Sequence, residues 1–404
     1  MPGIANPAPA RDRIMVLDVL RGVAVGGILL ANTFVFFGLF LIPPERAAAL
    51  STHNLDRVVE FAEHVLVEGK FYSIFSLLFG IGFGIQLARG GDAAVPRFRR
   101  RLRVLLLIGA VHALLIWAGD ILLLYALLGF TMPWFARKDS RSLLRWTVGL
   151  LATPTILYIV AIIVGMLAGL SPAPPGPARP AVPPEIFERL SAMGTGGLAD
   201  ALIGNLLFFV GRWVDLFMSV RFPKVLGMFV LGLWIVRQGI TTDLQAHLPR
   251  LRRWRAAGWT IGLAVNVIAA AAFLWWPYWP PSPGGLVGVL AQAVGFPLLA
   301  LGYACTIAIA LPHVPRVLGV FGPVGRMALT NYLMHSVVCV TLSYGFGLGW
   351  WWRIGAAMTW AVAVTIVALQ IPLSRWWLAS FQYGPAEWLW RRLTYGVPLP
   401  MRRR

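Results

Sequence analysis

The chain is short of charge, and shortest of negative charge. Only 13% of its 404 residues are charged, and Asp and Glu number 16 against 35 Lys and Arg. A soluble domain carries nearer a quarter charged residues, so little of this chain is built to face water. Cysteine is almost absent: Cys305 and Cys339 are the only two, and both fall in apolar stretches. That excludes a disulfide framework for exposed loops, and no Cys and His spacing suits a metal, so no metal is expected. The polar–apolar alternation of a membrane β-barrel is missing as well.

Apolar residues fill the space. They make up 58% of the chain, and the mean hydropathy is +0.73. Runs of about 18 apolar residues or more, enough to cross a bilayer as helix, recur along the whole length. In lipid the backbone must satisfy its own hydrogen bonds, which leaves a helix bundle for continuous apolar runs. The expected fold is an all-α polytopic transmembrane bundle of about ten spans: 14–40, 71–89, 103–118, 121–136, 145–169, 222–238, 256–276, 286–310, 327–347 and 355–374. The stretch from Ile14 to Ile42 is too long for a signal core and carries Asp18 and Arg21. It is read as the first span and not as a cleaved leader.

A net charge of +19 would suit nucleic acid, but its placement points elsewhere. The basic residues sit in alternate short connections: Arg97, Arg99 to Arg101 and Arg103; Arg137, Lys138, Arg141 and Arg145; Arg250, Arg252, Arg253 and Arg255; and the tail with Arg391, Arg392 and Arg402 to Arg404. The positive-inside rule uses them there, which puts both termini in the cytoplasm and excludes nucleic acid as a partner. Residues 171–184 hold seven prolines in fourteen positions, the composition of a stiff linker. They divide a five-span half (1–170) from an outer segment (171–221) and a second five-span half with a basic cytoplasmic tail (222–404). Residues 203–220 are apolar enough to span but carry Arg212 and Asp215. They are read as an interfacial or re-entrant helix on the outer side. Trp-rich strings at 275–279, 350–352 and 376–377 are expected in the aromatic belt. Residues 383–396 are expected to form an amphipathic helix at the inner surface, where Arg391 and Arg392 meet anionic lipid.

Polar residues inside spans are costly and ask for a partner or a task. Asp18 and Arg21, three apart on one face of the first span, suit either a structural ion pair or the lining of an inner cavity for an anionic ligand. Asn32 lies eleven residues beyond Arg21, roughly 16 Å along the same face. His112 and Asp120 flank the short junction between the third and fourth spans. A buried His beside a carboxylate can serve as a general base, although a lone buried His is more often a satisfied hydrogen bonder. Lys70 opens the second span from outside and either reaches the headgroups or joins Asn331 and His335 as a further candidate site residue. Asn331 and His335 are four apart on one face of the ninth span.

Five strings together resemble one family: RIMVLDVLRGVAVGGILLAN (13–32), GKFYSIFSLLFGIGFGIQ (69–86), HALLIWAGDILLLYALLG (112–129), GRMALTNYLMHS (325–336) and FQYGPAEWLWRRLTYG (381–396). They look like the YeiB-like bacterial membrane proteins, over nearly the whole chain and in the right order. That family is grouped with wider transmembrane acyltransferases, and LDVLRG resembles the start of their first helix. The resemblance implies a multi-pass protein of the bacterial inner membrane. It would take an acyl group from cytoplasmic acyl-CoA and pass it to an envelope sugar or lipid. In the polysaccharide-modifying relatives a histidine ends the first helix; here Asn32 stands nearest that position. The catalytic assignment then moves to His112 as general base, with Asp120 orienting it, Asn32 donating to the oxyanion, and Asp18 and Arg21 framing the CoA entrance. A small-solute transporter is the alternative, since intramembrane His, Asp and Asn also build proton relays. A homo-oligomer is compatible with either.

Overall fold

The computed structural model describes residues 15–171, 182–276, 278 and 280–403. The expected cytoplasmic N-terminus, most of the Pro-rich linker, and Pro277 and Trp279 of the first Trp-rich string lie outside the described residues. Among the described residues the chain is helical, with no strand beyond one isolated bridge between Phe381 and Arg402.

The helices longer than five residues, in order, are α1 (Met15–Phe36), α2 (His53–Ala62), α3 (Lys70–Gly90), α4 (Ala94–Leu115), α5 (Leu122–Gly129), α6 (Ser140–Leu167), α7 (Pro184–Ala192) and α8 (Leu198–Met218). They continue with α9 (Arg221–Arg237), α10 (Leu248–Trp275), α11 (Pro283–Ala310), α12 (Phe321–Arg326), α13 (Ala328–Ser343), α14 (Ala356–Ser380) and α15 (Pro385–Tyr395). Pro154, Pro297 and Pro372 sit inside α6, α11 and α14. Such prolines are tolerated where neighbouring helices re-satisfy the backbone.

Seven helical stretches among the described residues are long and apolar enough to cross a membrane. They do not map one to one on the ten expected spans. The stretch from His53 to Leu115 is one of the seven, yet Gly69 and Gly91 at positive φ divide it into α2, α3 and α4. Segments 121–136, 222–238 and 327–347 give shorter helices, with α9 and α13 at 17 and 16 residues. Most of α9 is buried, so other helices and not lipid set its length. The arginine run at 97–103, expected as a loop, is the first part of α4.

Packing fixes the helix directions. Gly80 of α3 lies against the Phe229 carbonyl of α9, Gly232 against that of Leu77, and Gly84 against Leu233 and Val236. These two helices therefore run in the same direction, and small residues let their backbones touch. The two chain ends of α9 differ sharply. Arg237 at its finish donates to the carbonyls of Ala136 and Lys138, just before α6 begins. Arg97, Arg101 and Lys138 gather at this basic end, where α15 lies across α4: Trp390 Nε1 donates to the Arg101 carbonyl at 2.9 Å, and Arg101 stacks over the Trp390 ring. Glu387 of α15 accepts from Leu329 N (2.6 Å), Thr330 N (3.1 Å) and Thr330 Oγ (2.6 Å), which caps α13. Burial pushes its carboxyl up, and those hydrogen bonds hold it partly back.

The opposite end collects the finish of α1 and α4, the start of α3 and α9, and all of α7. Phe36 stacks on Trp117 at 3.9 Å, and Phe187 of α7 on Trp352 at 5.6 Å. α8 also begins here, with Asn205 donating to the carbonyls of Ala113 and Leu114. It ends two residues before α9 starts. Long and apolar as it is, α8 begins and finishes at the same end of the bundle. Ile203, Leu206, Val210, Val214 and Phe217 form its exposed stripe, while Ala201, Gly204, Asn205 and Leu216 face the protein.

The belt expected at 350–352 is not there. Trp351 and Trp352 are buried, and Trp352 Nε1 donates to the Gly38 carbonyl at 2.7 Å. They plug the end of the bundle because the loop after α13 folds back over α1. Trp376 is exposed, as a belt residue is.

Candidate functional site

The last turn of α4 carries His112, and the reversal into α5 carries Asp120. The reversal is tight, and Ile116 N and Trp117 N both donate to the His112 carbonyl. It returns Asp120 onto the imidazole, with Oδ2 at 2.7 Å from Nδ1. The other carboxylate oxygen accepts from Leu123 N at 2.7 Å, in the first turn of α5. On the far side of the ring, His112 Nε2 lies 2.8 Å from Ser336 Oγ of α13. His112 is 1% exposed and Ser336 0%. Tyr332, one turn before Ser336, places its ring 5.4 Å from the imidazole and accepts from Ile121 N at 3.3 Å.

The chemistry follows from donor and acceptor capacity. An ionised Asp120 can only accept, so Nδ1 carries the proton and Nε2 is left to accept from the Ser336 hydroxyl. A hydroxyl on an imidazole backed by a carboxylate is the arrangement that activates an oxygen nucleophile. Asp120 also lines a crevice with Ala113, Leu123, Phe209, Arg212 and Trp213. The crevice has room for little more than one water.

The other expected site residues scatter. Asn32 is half-buried and forms none of the bonds joining His112, Asp120 and Ser336. The buried stripe of α1 passes through its neighbour Thr33, about 100° round the helix. Asp18 and Arg21 pair with each other at 2.9 Å near the basic end, with Arg101 and Arg391 in electrostatic range of Arg21's surroundings. Asn331 donates to the Val324 carbonyl and to Ser374 Oγ, both at 3.1 Å, and His335 Nε2 meets Gln370 Oε1 at 2.8 Å. That network faces α14, away from His112.

Lys70 does not reach toward headgroups. It is 0% exposed, donates to the His64 carbonyl at 2.6 Å, and lies 4.3 Å over the Phe296 ring. The turn at Gly69 aims it back under the end of α2. One group among the described residues has metal-ligand geometry: Glu63, His64 and Glu68, whose ligand atoms lie within 4.8 Å of one another. His64 Nδ1 is already bonded to Glu68 at 2.7 Å, and the Lys70 ammonium beside them supplies the positive charge a metal would.

Residues 235–397 match the family described as "Protein of unknown function (DUF418)". The chain is 32% identical to the uncharacterized protein YxaH of Bacillus subtilis (strain 168), over 96% of each chain. It is also 32% identical to the uncharacterized protein YeiB of Escherichia coli (strain K12), over 95% of this chain and 96% of that one. The chain belongs to the YeiB-like family. A 27% identity to an uncharacterized 39.9 kDa protein of Bacillus acidopullulyticus, over 98% of each chain, extends the likeness. No solved structure matches.

Within this YeiB-like bundle, Ser336 and Arg212 are the two site residues that reading the sequence missed. Ser336 ends the string GRMALTNYLMHS, where His335 drew attention and a helical serine did not. Arg212 was noted only as a charge that argued against a span.

Proposed function

We propose that the chain is a transmembrane acyltransferase of the bacterial inner membrane, moving an acyl group from acyl-CoA at the basic end to an envelope acceptor at the opposite end. The hydrogen-bonded series Ser336–His112–Asp120 carries this reading. His112 Nε2 takes the Ser336 proton as Oγ bonds to the thioester carbonyl carbon. The C–S bond then breaks, and the CoA thiolate leaves with the proton from Nε2. In the second half an acceptor hydroxyl gives its proton to Nε2, attacks the Ser336 ester, and Oγ leaves reprotonated. Asp120 holds the tautomer and stabilises the imidazolium in both halves. Burial keeps water from the thioester and the ester. Arg21, Arg101 and Arg391 supply positive charge for the CoA phosphates at the basic end, which this reading places in the cytoplasm with the C-terminal tail.

The test is made on purified protein in nanodiscs. Acetyl-CoA should bind, and CoA should be released at a rate that His112→Ala removes in protein that still melts cooperatively and still binds acetyl-CoA. Solute counterflow with no CoA bound would replace the enzyme by a transporter.

A further inference from the structure

Three cations stand where the positive-inside rule would not put them. Arg212, Arg221 and Lys224 lie within thirteen residues at the end of the bundle opposite the arginine-rich one, and short connections there normally avoid Lys and Arg. Two of them converge on one oxygen. Asp215 Oδ2 is 2.6 Å from Arg212 Nη1 and 3.8 Å from Arg221 Nη2. The carboxylate that holds them together is itself half-exposed, at 49% of its side chain. Lys224 forms no ion pair among the described residues, and the nearby Glu68 is taken up by His64 at 2.7 Å. The Nε of Arg212 is buried with no hydrogen-bond partner. Three positive charges therefore share one half-exposed carboxylate, and one donor is left without a partner.

The surroundings say what would complete them. Arg212 lines the crevice that reaches Asp120. Arg221 lies 5.8 Å over the Tyr72 ring, and Tyr72 lines a second crevice with Lys224, Gln292 and Phe296. Arg221 thus stands between the two openings. The opposite face of α8 is the exposed apolar stripe from Ile203 to Phe217, a face suited to lie against lipid, with the cations on the side turned toward the bundle.

We propose that Arg212, Arg221 and Lys224 form a site for a phosphate group carried on a lipid, which displaces Asp215 and occupies its place between the two guanidinium groups. The planar fork of arginine matches two phosphate oxygens at once. On the acyl-transfer reading, from which it takes the role but not the binding itself, this site holds the acceptor with its hydroxyl toward the Asp120 crevice. The acceptor class is then a phosphate-bearing lipid and not a neutral sugar.

Binding is read by native mass spectrometry of detergent-released protein with phosphatidylglycerol and with phosphatidylcholine as the zwitterionic control. Inorganic phosphate is titrated separately by thermophoresis. Phosphatidylglycerol should bind in preference to phosphatidylcholine, with inorganic phosphate far weaker. Arg212→Gln with Arg221→Gln should lower phosphatidylglycerol affinity about tenfold or more, Arg221→Lys should lose less, and Asp215→Asn should tighten it by removing the competing anion. Should the double variant fail to fold, Asp215→Asn and Lys224→Gln decide alone, in opposite directions. Equal retention of the two lipids, or tighter binding of free phosphate than of lipid, overturns the proposal. So does weaker binding in Asp215→Asn, or wild-type affinity in a folded double variant. Selective lipid binding without any CoA turnover leaves this site standing and removes the acyltransferase. Turnover on a neutral acceptor, unchanged in the double variant, does the reverse.

Discussion

Two buried histidines meet at α13, and their partners differ in kind. His112 reaches it from α4 and uses both ring nitrogens, on Asp120 and on Ser336. His335, on α13 itself, bonds the Gln370 amide through Nε2, and its Nδ1 is buried with no partner. A carboxylate stabilises an imidazolium, so His112 can accept a proton in place. A neutral amide offers no such support, and His335 stays a packing and hydrogen-bonding group. Burial is common to both, so the partner and not the depth separates a base from a structural ring.

That contrast breaks most easily at His112. Its replacement by Ala should lower acyl transfer or CoA release by roughly 100-fold or more; it also strands the buried Asp120 carboxylate and lowers the melt, so turnover is compared on the folded fraction. A folded variant that keeps wild-type turnover would make the two histidines equivalent. Ser336→Ala should lose nearly as much. Acyl-CoA incubation followed by peptide mass spectrometry should show an ester on Ser336 in wild type and none in the variant. Asp120→Asn keeps the shape but not the charge. Turnover should fall by about tenfold to 100-fold while acyl-CoA affinity holds; equal losses in both would assign Asp120 to binding. His335→Ala sharpens the comparison from the other side. It leaves Gln370 Oε1 without its partner while Nε2 keeps the Asn331 carbonyl, at a cost of about 1–3 kcal/mol in stability, and should change the turnover of folded protein by no more than about twofold. Glu387→Gln should show the smallest effect, about 1 kcal/mol from a weakened α13 cap, read as a lower melting temperature.

Much of this was legible in the chain. The all-helical membrane class followed from apolar runs and scarce charge, and the pairing of His112 with Asp120 from an eight-residue offset across a short reversal. What could not be read was long-range. Ser336 meets His112 across 224 residues, and nothing local in a helical serine announces that. Lys70 was misplaced because snorkelling assumes a straight exit to water. Gly69 turns the chain, and the carbonyl of His64 offers a nearer partner. The tryptophans at 351 and 352 were misplaced for a related reason: aromatic composition speaks for an interface, while a loop folding back over the Phe36 end decides burial.

The course of α8 also bears on how the chain is made. An apolar helix of 21 residues meets the insertion machinery as a stop signal. Threading it through or not decides the side on which every later segment enters, the arginines of 250–255 included. Arg212 and Asp215, in its last two turns, weigh against threading, each by less than the roughly 3 kcal/mol of a charge at a helix centre. The same two residues that hold one another in the finished protein are three apart on one helix, so the pair is already present when that choice is made.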